Sequence, residues 1–230
     1  MELSGAKILV CGATGVLGRG LTGALVARGA TVVPAGRDAD RLAELGETCG
    51  TTPLTFDAAD ADSCVAVVKD AADALGGLDA IVITVGVAAF GPAAEADPAL
   101  VQELFAVNTF GPMTLARAAL PHLSEHGTVA VLSAILADLP TAGMGEYSAS
   151  KAAISSWLSV LRREIRPQVV LDVRPPHLDT GLENRALAGA PPKLPAPMPA
   201  GEVVELILTA LEAGKKEIVW DQQSKSLVAR

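Results

Sequence analysis

The sequence predicts one α/β domain built on a doubly wound sheet of seven parallel strands. Three observations predict it. The chain has 230 residues, within the span of a single domain. Short apolar runs alternate with longer amphipathic segments, the pattern of βαβ units. The first apolar run passes directly into a glycine-rich turn where a helix should start.

Seven strand candidates follow in order: Lys7–Cys11, Thr31–Ala35, Pro53–Phe56, Asp79–Thr84, Thr128–Ser133, Val169–Val173 and Glu217–Trp220. Between them, Asp62–Leu75, Pro98–Leu120, Glu146–Ile165 and Gly201–Ala213 are rich in Ala, Leu and Glu and read as helices. Asp60 or Asp62 can cap the first of these, and Pro98 suits a first helical turn. Residues 181–200 break the rhythm with Pro191, Pro192, Pro195, Pro197 and Pro199. A stretch of this length after the sixth strand is expected to act as a lid over the strands' carboxyl ends.

Composition narrows the function. Hydrophobic residues make up 50% of the chain, which excludes a disordered or fibrous protein. The charge is −8 and no basic run stands out, so neither a nucleic-acid surface nor an anionic-membrane surface is expected. Cys11, Cys49 and Cys64 are scattered, and with three histidines they give no metal-ligand spacing, so no metal is expected. Met1–Gly5 lacks the basic start of a signal peptide, and the apolar stretch from Ala80 to Ala94 is too short to span a bilayer. The expectation is a cytoplasmic domain.

The glycine-rich turn reads Gly12-Ala13-Thr14-Gly15-Val16-Leu17-Gly18. Glycines there permit a tight turn, admit a pyrophosphate to the backbone, and let helix and strand pack closely. The helix start then offers free N–H groups to the anion. The second strand ends at Gly36-Arg37-Asp38. A carboxylate directly at this strand end would accept from a ribose, whereas Arg37 can pair with a 2′-phosphate, which favours NADP(H) over NAD(H).

Tyr147 is the only tyrosine, and Lys151 stands four residues later on a helix, hence on the same face. An ammonium beside a phenol favours phenolate, so the pair suits proton exchange with a substrate oxygen. His177, in the loop after the sixth strand, reads as an exposed histidine at the substrate edge.

On these residues the chain resembles the short-chain dehydrogenase/reductase family, from about residue 5 to about residue 220. The segment Tyr147-Ser-Ala-Ser-Lys151 carries the likeness most specifically; Asp57, Asn108 and the run Arg174–Thr180 support it. The resemblance implies a Rossmann fold and an oxidoreductase acting on a small-molecule carbonyl or secondary alcohol. It gives Tyr147 the proton exchange, Lys151 the nicotinamide ribose and Asn108 a water-mediated relay. It assigns cofactor contacts to Gly12, Thr14, Gly15, Val16, Leu17, Gly18, Arg37, Asp57, Ala58, Val85, Gly86, Pro175 and Thr180 besides Asn108, Tyr147 and Lys151. It also implies a homodimer or homotetramer paired through residues 98–120 and 146–165. Gly111 and Pro112 should distort the helix just beyond Asn108.

One departure bears on chemistry. A gap-free reading back from Tyr147 puts Ala134 where the family has its serine, with Ser133 beside it. Losing such a donor costs roughly 100- to 1000-fold in turnover. Ser133, returned by a strand end or bulge, is one candidate donor; Thr84, Ser148 and the substrate itself are the others. A nucleotide-binding regulator that kept the fold is the rival reading, and the retained Tyr147, Lys151 and Asn108 weigh against it. An epimerase or dehydratase of the extended branch is disfavoured by length.

Overall fold

Eight strands form one sheet in the order β3-β2-β1-β4-β5-β6-β7-β8 in a computed structural model that describes residues 1–230. They are β1 (Lys7–Cys11), β2 (Thr31–Gly36), β3 (Leu54–Thr55), β4 (Leu78–Ile83), β5 (Leu123–Leu132), β6 (Val169–Val173), β7 (Glu217–Asp221) and β8 (Ser226–Ala229). The first seven run parallel, in register Leu9↔Ile81 between β1 and β4. The sequence predicts those seven; β8 is an addition, antiparallel to β7 with Ile218 opposite Ala229. Four residues directly after a turn, one exposed and three half-buried, are too short to show a strand's alternation.

Helices cover both faces: α1 (Val16–Ala27), α2 (Ala39–Cys49), α3 (Ala61–Leu75), α4 (Pro98–Phe105), α5 (Gly111–Ala119), α6 (Gly145–Glu164) and α7 (Ala200–Glu212). On one face Leu17, Leu21 and Leu25 of α1 pack with Val203, Ile207 and Leu208 of α7 over Ile8 and Val10. On the other, α3, α5 and α6 close over Leu9, Ile81 and Val129. Adjacent residues of one strand thus feed opposite layers, as a pleated strand requires. Asp60 caps α3 through Asp62 N–H and Ser63 N–H, and Pro98 opens α4 behind the Asp97 cap.

The helix expected over residues 98–120 is broken. Between α4 and α5 the chain runs as a π-helical turn, Ala106–Phe110, with Asn108 at its centre. Pro112 has no N–H to give the Asn108 carbonyl four residues earlier, so an ordinary α-helical bond cannot form there. The irregularity therefore surrounds Asn108 instead of following it. Gly111, directly after this turn, packs on the loop after β3, where a Cβ on it would lie 2.2 Å from the Ala58 carbonyl oxygen.

Strand order reverses between β1 and β4, and such a switch point opens a crevice at the carboxyl ends. Four segments end there: the glycine turn after β1, Thr84–Gly86 after β4, Ser133–Ala134 after β5, and Arg174 onward after β6.

Candidate active site

The glycine turn has two kinds of glycine. Gly12 sits at φ +86°, and a Cβ on Gly18 would lie 2.2 Å from the Gly12 carbonyl oxygen, so both are demanded by the chain itself. Gly15 is different. It precedes α1 in extended conformation, and a Cβ there would meet only the Gly12 carbonyl oxygen, at 3.4 Å. No side chain caps α1 and no acidic residue occupies its first turn. Bare backbone beside an uncapped helix start is a fitting cradle for an anion.

At the end of β2, Gly36 packs on Thr14, and exposed Arg37 follows. Asp38 beside it caps α2, accepting from the Arg41 N–H at 3.1 Å. Arg41 also reaches the glycine turn, donating to the Thr14 carbonyl at 2.6 Å. Two arginines thus belong to this corner, Arg37 by its place in the chain and Arg41 by contact; the sequence points to Arg37, and Arg41 is an addition. Asp57 is exposed, and its carboxylate accepts from the Ala59 N–H at 2.9 Å, folding the turn that carries Ala58.

Tyr147 lies in the first turn of α6 and Lys151 in the second, and both are buried. The Asn108 amide is held rigidly: its Oδ1 accepts from Val87 N–H at 2.9 Å, and its Nδ2 donates to the Val87 carbonyl at 2.9 Å and to Ser150 Oγ at 3.1 Å. Ser150 in turn donates to the Tyr147 carbonyl at 2.8 Å, while Thr109 Oγ1 donates to the Ser150 carbonyl at 2.8 Å. The π-helical turn is thereby stapled to the tyrosine's own helical turn. Gly86 closes the group, since a Cβ on it would lie 3.2 Å from Lys151 Nζ and 3.4 Å from Asn108 Oδ1. The structure brings Tyr147, Lys151, Asn108 and Gly86 together. Ser150 and Thr109 are additions, unseen in sequence as ordinary small helix residues.

Ser133 is not in this group. Its hydroxyl donates to Asp172 Oδ1 on β6 and, at 3.2 Å, to the Val173 carbonyl. Ala134 follows it in extended conformation, so no bulge turns Ser133 back toward Tyr147. Thr84 is also committed, donating to the Cys11 carbonyl at 3.0 Å. Ser148 Oγ is buried without a hydrogen-bond partner.

Burial sets the protonation of the pair. It pushes the Tyr147 phenol up to about 12 and the Lys151 ammonium down to about 8, the latter against the pull of Asp172. This corrects the expectation of a depressed phenol for the chain by itself: Lys151 Nζ donates to the Leu132 carbonyl at 3.1 Å, and desolvation governs Tyr147.

The segment 181–200 covers Tyr147. Leu187 N–H donates to the Ala88 carbonyl at 2.8 Å, and the Ala188 carbonyl accepts from Phe90 N–H at 3.0 Å. Tyr147 packs among Ala88, Ala89, Phe90, Leu104 and Met144, with Leu136, Leu182, Ala186 and Leu194 against them. Arg185 turns back to the Gly181 and Thr180 carbonyls instead of facing the phenol. His177, expected to be exposed, is half-buried; its Nδ1 lies 2.9 Å from the Pro195 carbonyl and its Nε2 3.6 Å from Glu183. Pro175 holds the segment after β5 through its carbonyl, which accepts from Ile135 N–H at 2.9 Å.

Four similarities to known proteins bear on this arrangement. The sequence profile of the short chain dehydrogenases matches residues 6–189. The hydroxysteroid 11-beta-dehydrogenase 1-like protein of Gallus gallus is 34% identical over 175 residues, spanning 73% of this chain and 61% of that protein. The cyclic-di-GMP-binding biofilm dispersal mediator protein of Escherichia coli (strain K12) is 29% identical over 182 residues, 77% of this chain and 75% of that protein. Among solved structures, a short chain dehydrogenase from Burkholderia cenocepacia J2315 in complex with NADP aligns with a TM-score of 0.84 at 29% identity, covering 97% of this chain and 91% of that one.

Proposed function

This chain belongs to the short-chain dehydrogenase family, and from that premise we propose that it is an NADP(H)-dependent oxidoreductase acting on an apolar carbonyl or secondary alcohol. The observation that carries the reading is the buried Tyr147–Lys151 pair, locked to Asn108 at the switch-point crevice and roofed by apolar side chains.

The bare backbone of Gly15, the uncapped start of α1, Arg41 on the Thr14 carbonyl and exposed Arg37 at the end of β2 fit a dinucleotide carrying a 2′-phosphate. A similar protein from Burkholderia cenocepacia is described in complex with NADP. Arg37 and Arg41 would take the 2′-phosphate, Gly12–Gly18 the pyrophosphate, and Lys151 the nicotinamide ribose. Asp57, Ala58, Val85, Pro175 and Thr180 complete the expected contacts along the same strand ends. When bound, the nicotinamide supplies or accepts the hydride. Tyr147 holds the proton that balances it. At neutral pH its phenol is protonated, and so ready to donate to the oxygen of a carbonyl being reduced. Lys151 is mostly cationic there and favours the phenolate that remains. The relay role expected of Asn108 fits its rigid hold between Val87 and Ser150.

The cover over Tyr147 is made of Leu136, Leu182, Ala186 and Leu194, and Arg185 is turned to backbone carbonyls, which favours neutral substrates over acidic ones. No helix of the chain is long and apolar enough to cross a membrane. We further propose a homodimer or homotetramer through α4–α6, where Phe110 is 59% exposed and Val160 48% exposed. A monomeric mass by light scattering would remove that part.

A second reading has one specific observation behind it. Ala134 leaves the site without the family's serine, and Ser133 and Thr84 are engaged elsewhere, as they could be in a nucleotide-binding regulator. Consumption of NADPH with a panel of neutral ketones and aldehydes decides between the two. Turnover supports the oxidoreductase; tight NADPH binding with no turnover across the panel supports the regulator.

A further inference from the structure

We propose that Asp172 is a positioning residue for Lys151: a buried counter-charge, clamped behind the reacting groups, that keeps the ammonium charged and in place. The proposal rests on the reading of Tyr147 and Lys151 given above, and its test is independent of turnover.

Asp172 lies on β6 and is 1% exposed. Its Oδ1 accepts from Ser133 Oγ on β5, and its Oδ2 accepts from Ser155 Oγ on α6 at 2.6 Å. Both donors are neighbours of the lysine's own anchors. Ser155 stands one turn after Lys151 on α6, and Ser133 follows Leu132, whose carbonyl accepts from Lys151 Nζ. Strand β5 and helix α6 are therefore stapled twice at one level, once by the ammonium and once through the carboxylate.

Asp172 is shared between Arg174 and the lysine. Arg174, reaching in from the end of β6, has its Nε 3.4 Å from Asp172 Oδ2, but its NH1 is held by Asp138 at 2.8 Å and its NH2 by Glu217 of β7. Arg162, further along α6, lies 3.6 Å from Glu217, which Arg230 also meets from the rim at 3.1 Å. Tyr147, neutral at working pH, adds no charge. Asp172 thus meets Arg174 directly and supports the charge of Lys151 from beyond ion-pair distance. Burial lifts the Asp172 carboxyl, while the two serine hydroxyls, Arg174 and Arg162 hold it back toward its charged form. A buried ammonium with no counter-charge would shed its proton readily.

The test titrates Lys151 directly by NMR of the full-length protein labelled at lysine Cε, the resonance being assigned by its loss in Lys151→Met. In the unmodified protein the midpoint should lie at about 8. Asp172→Asn should lower it by roughly one pH unit. Ser155→Ala, which keeps the charge and removes one hydrogen bond, should move it by much less. A folded Asp172→Asn protein with an unchanged midpoint would overturn the proposal, as would an equal shift in Ser155→Ala, which would make the role structural. Should Asp172→Asn not fold, Asp172→Ser removes the same charge and retains a hydroxyl for Ser133 and Ser155, and the same shift is required of it. Tyr147→Phe turnover tests the underlying reading separately, so either can fail without the other.

Discussion

The two sides of the crevice are built by opposite means. The side at β1 and β2 works by leaving side chains out: Gly12 and Gly18 have no room for a Cβ, and Gly15 keeps its backbone bare before an uncapped helix. The side at β4, β5, β6 and α6 works by burying polar side chains and matching them to neighbours, as Asn108, Ser150, Lys151 and Asp172 show, with Ser148 Oγ left unmatched. A backbone cradle recognises any well-placed phosphate. A buried polar network fixes individual atoms, at the risk that one unmatched group is costly. Binding and proton transfer should therefore be separable by mutation, and the sharpest tests exploit that.

The largest separation is expected for Tyr147→Phe. Removing the phenolic hydroxyl should lower turnover roughly 100- to 10,000-fold while leaving NADPH affinity close to that of the unmodified protein. Steady-state kinetics and fluorescence titration of NADPH read the two halves independently. A variant that keeps full turnover would break the assignment. On the other side, Arg37→Ala should cut the preference for NADPH over NADH by roughly 10- to 100-fold, because a charge-assisted phosphate pair is lost. Arg41→Ala should lower it further, since that guanidinium is tethered to the Thr14 carbonyl. Equal affinities for the two nucleotides in the unmodified protein would refute the role of this corner.

The same contrast explains how much could be read from sequence. The cradle is contiguous: strand, Gly12–Gly18 and helix follow one another, so spacing alone located it. Tyr147 and Lys151 were legible for a similar reason, being one helical turn apart. The wiring around them was not. Ser150 binds Asn108 across 42 positions and Ser133 binds Asp172 across 39, and no local pattern marks either pair. The eighth strand is too short for its pattern to show, and the helix breaks around Asn108, earlier than Gly111 and Pro112 suggest, because Pro112 acts on the carbonyl four residues before it.

A smaller effect should appear with pH. Burial lowers Lys151 to about 8, so its charge is present below that value and lost as pH rises through it. Hydrogen bonds from a charged donor outweigh neutral ones by about 1 kcal/mol, so NADPH affinity should fall by roughly fivefold to tenfold from pH 7 to pH 9. Calorimetric titration across that range should show the fall, and Lys151→Met should flatten it. A profile that is flat in the unmodified protein would place the ribose away from the ammonium.

The smallest effect is expected where the family's pattern would lead one to look for a large one. If Ser133 polarised the substrate carbonyl, replacing it with alanine would cost roughly 100- to 1000-fold in turnover. Here its hydroxyl points instead to Asp172 and the Val173 carbonyl, with Ala134 at the family's position. Ser133→Ala should therefore change kcat by well under tenfold. The loss should fall on the fold: a buried hydrogen bond to a carboxylate contributes about 1.5–3 kcal/mol, visible as a lower midpoint in thermal or urea unfolding. Ser155 still donates to the same carboxylate, which keeps its charge and keeps the cost toward the lower end. Measuring kcat and unfolding on one preparation separates the outcomes. A hundredfold loss of kcat with unchanged stability would return Ser133 to the reacting side of the crevice and break the distinction between the atoms that react and the atoms that hold them.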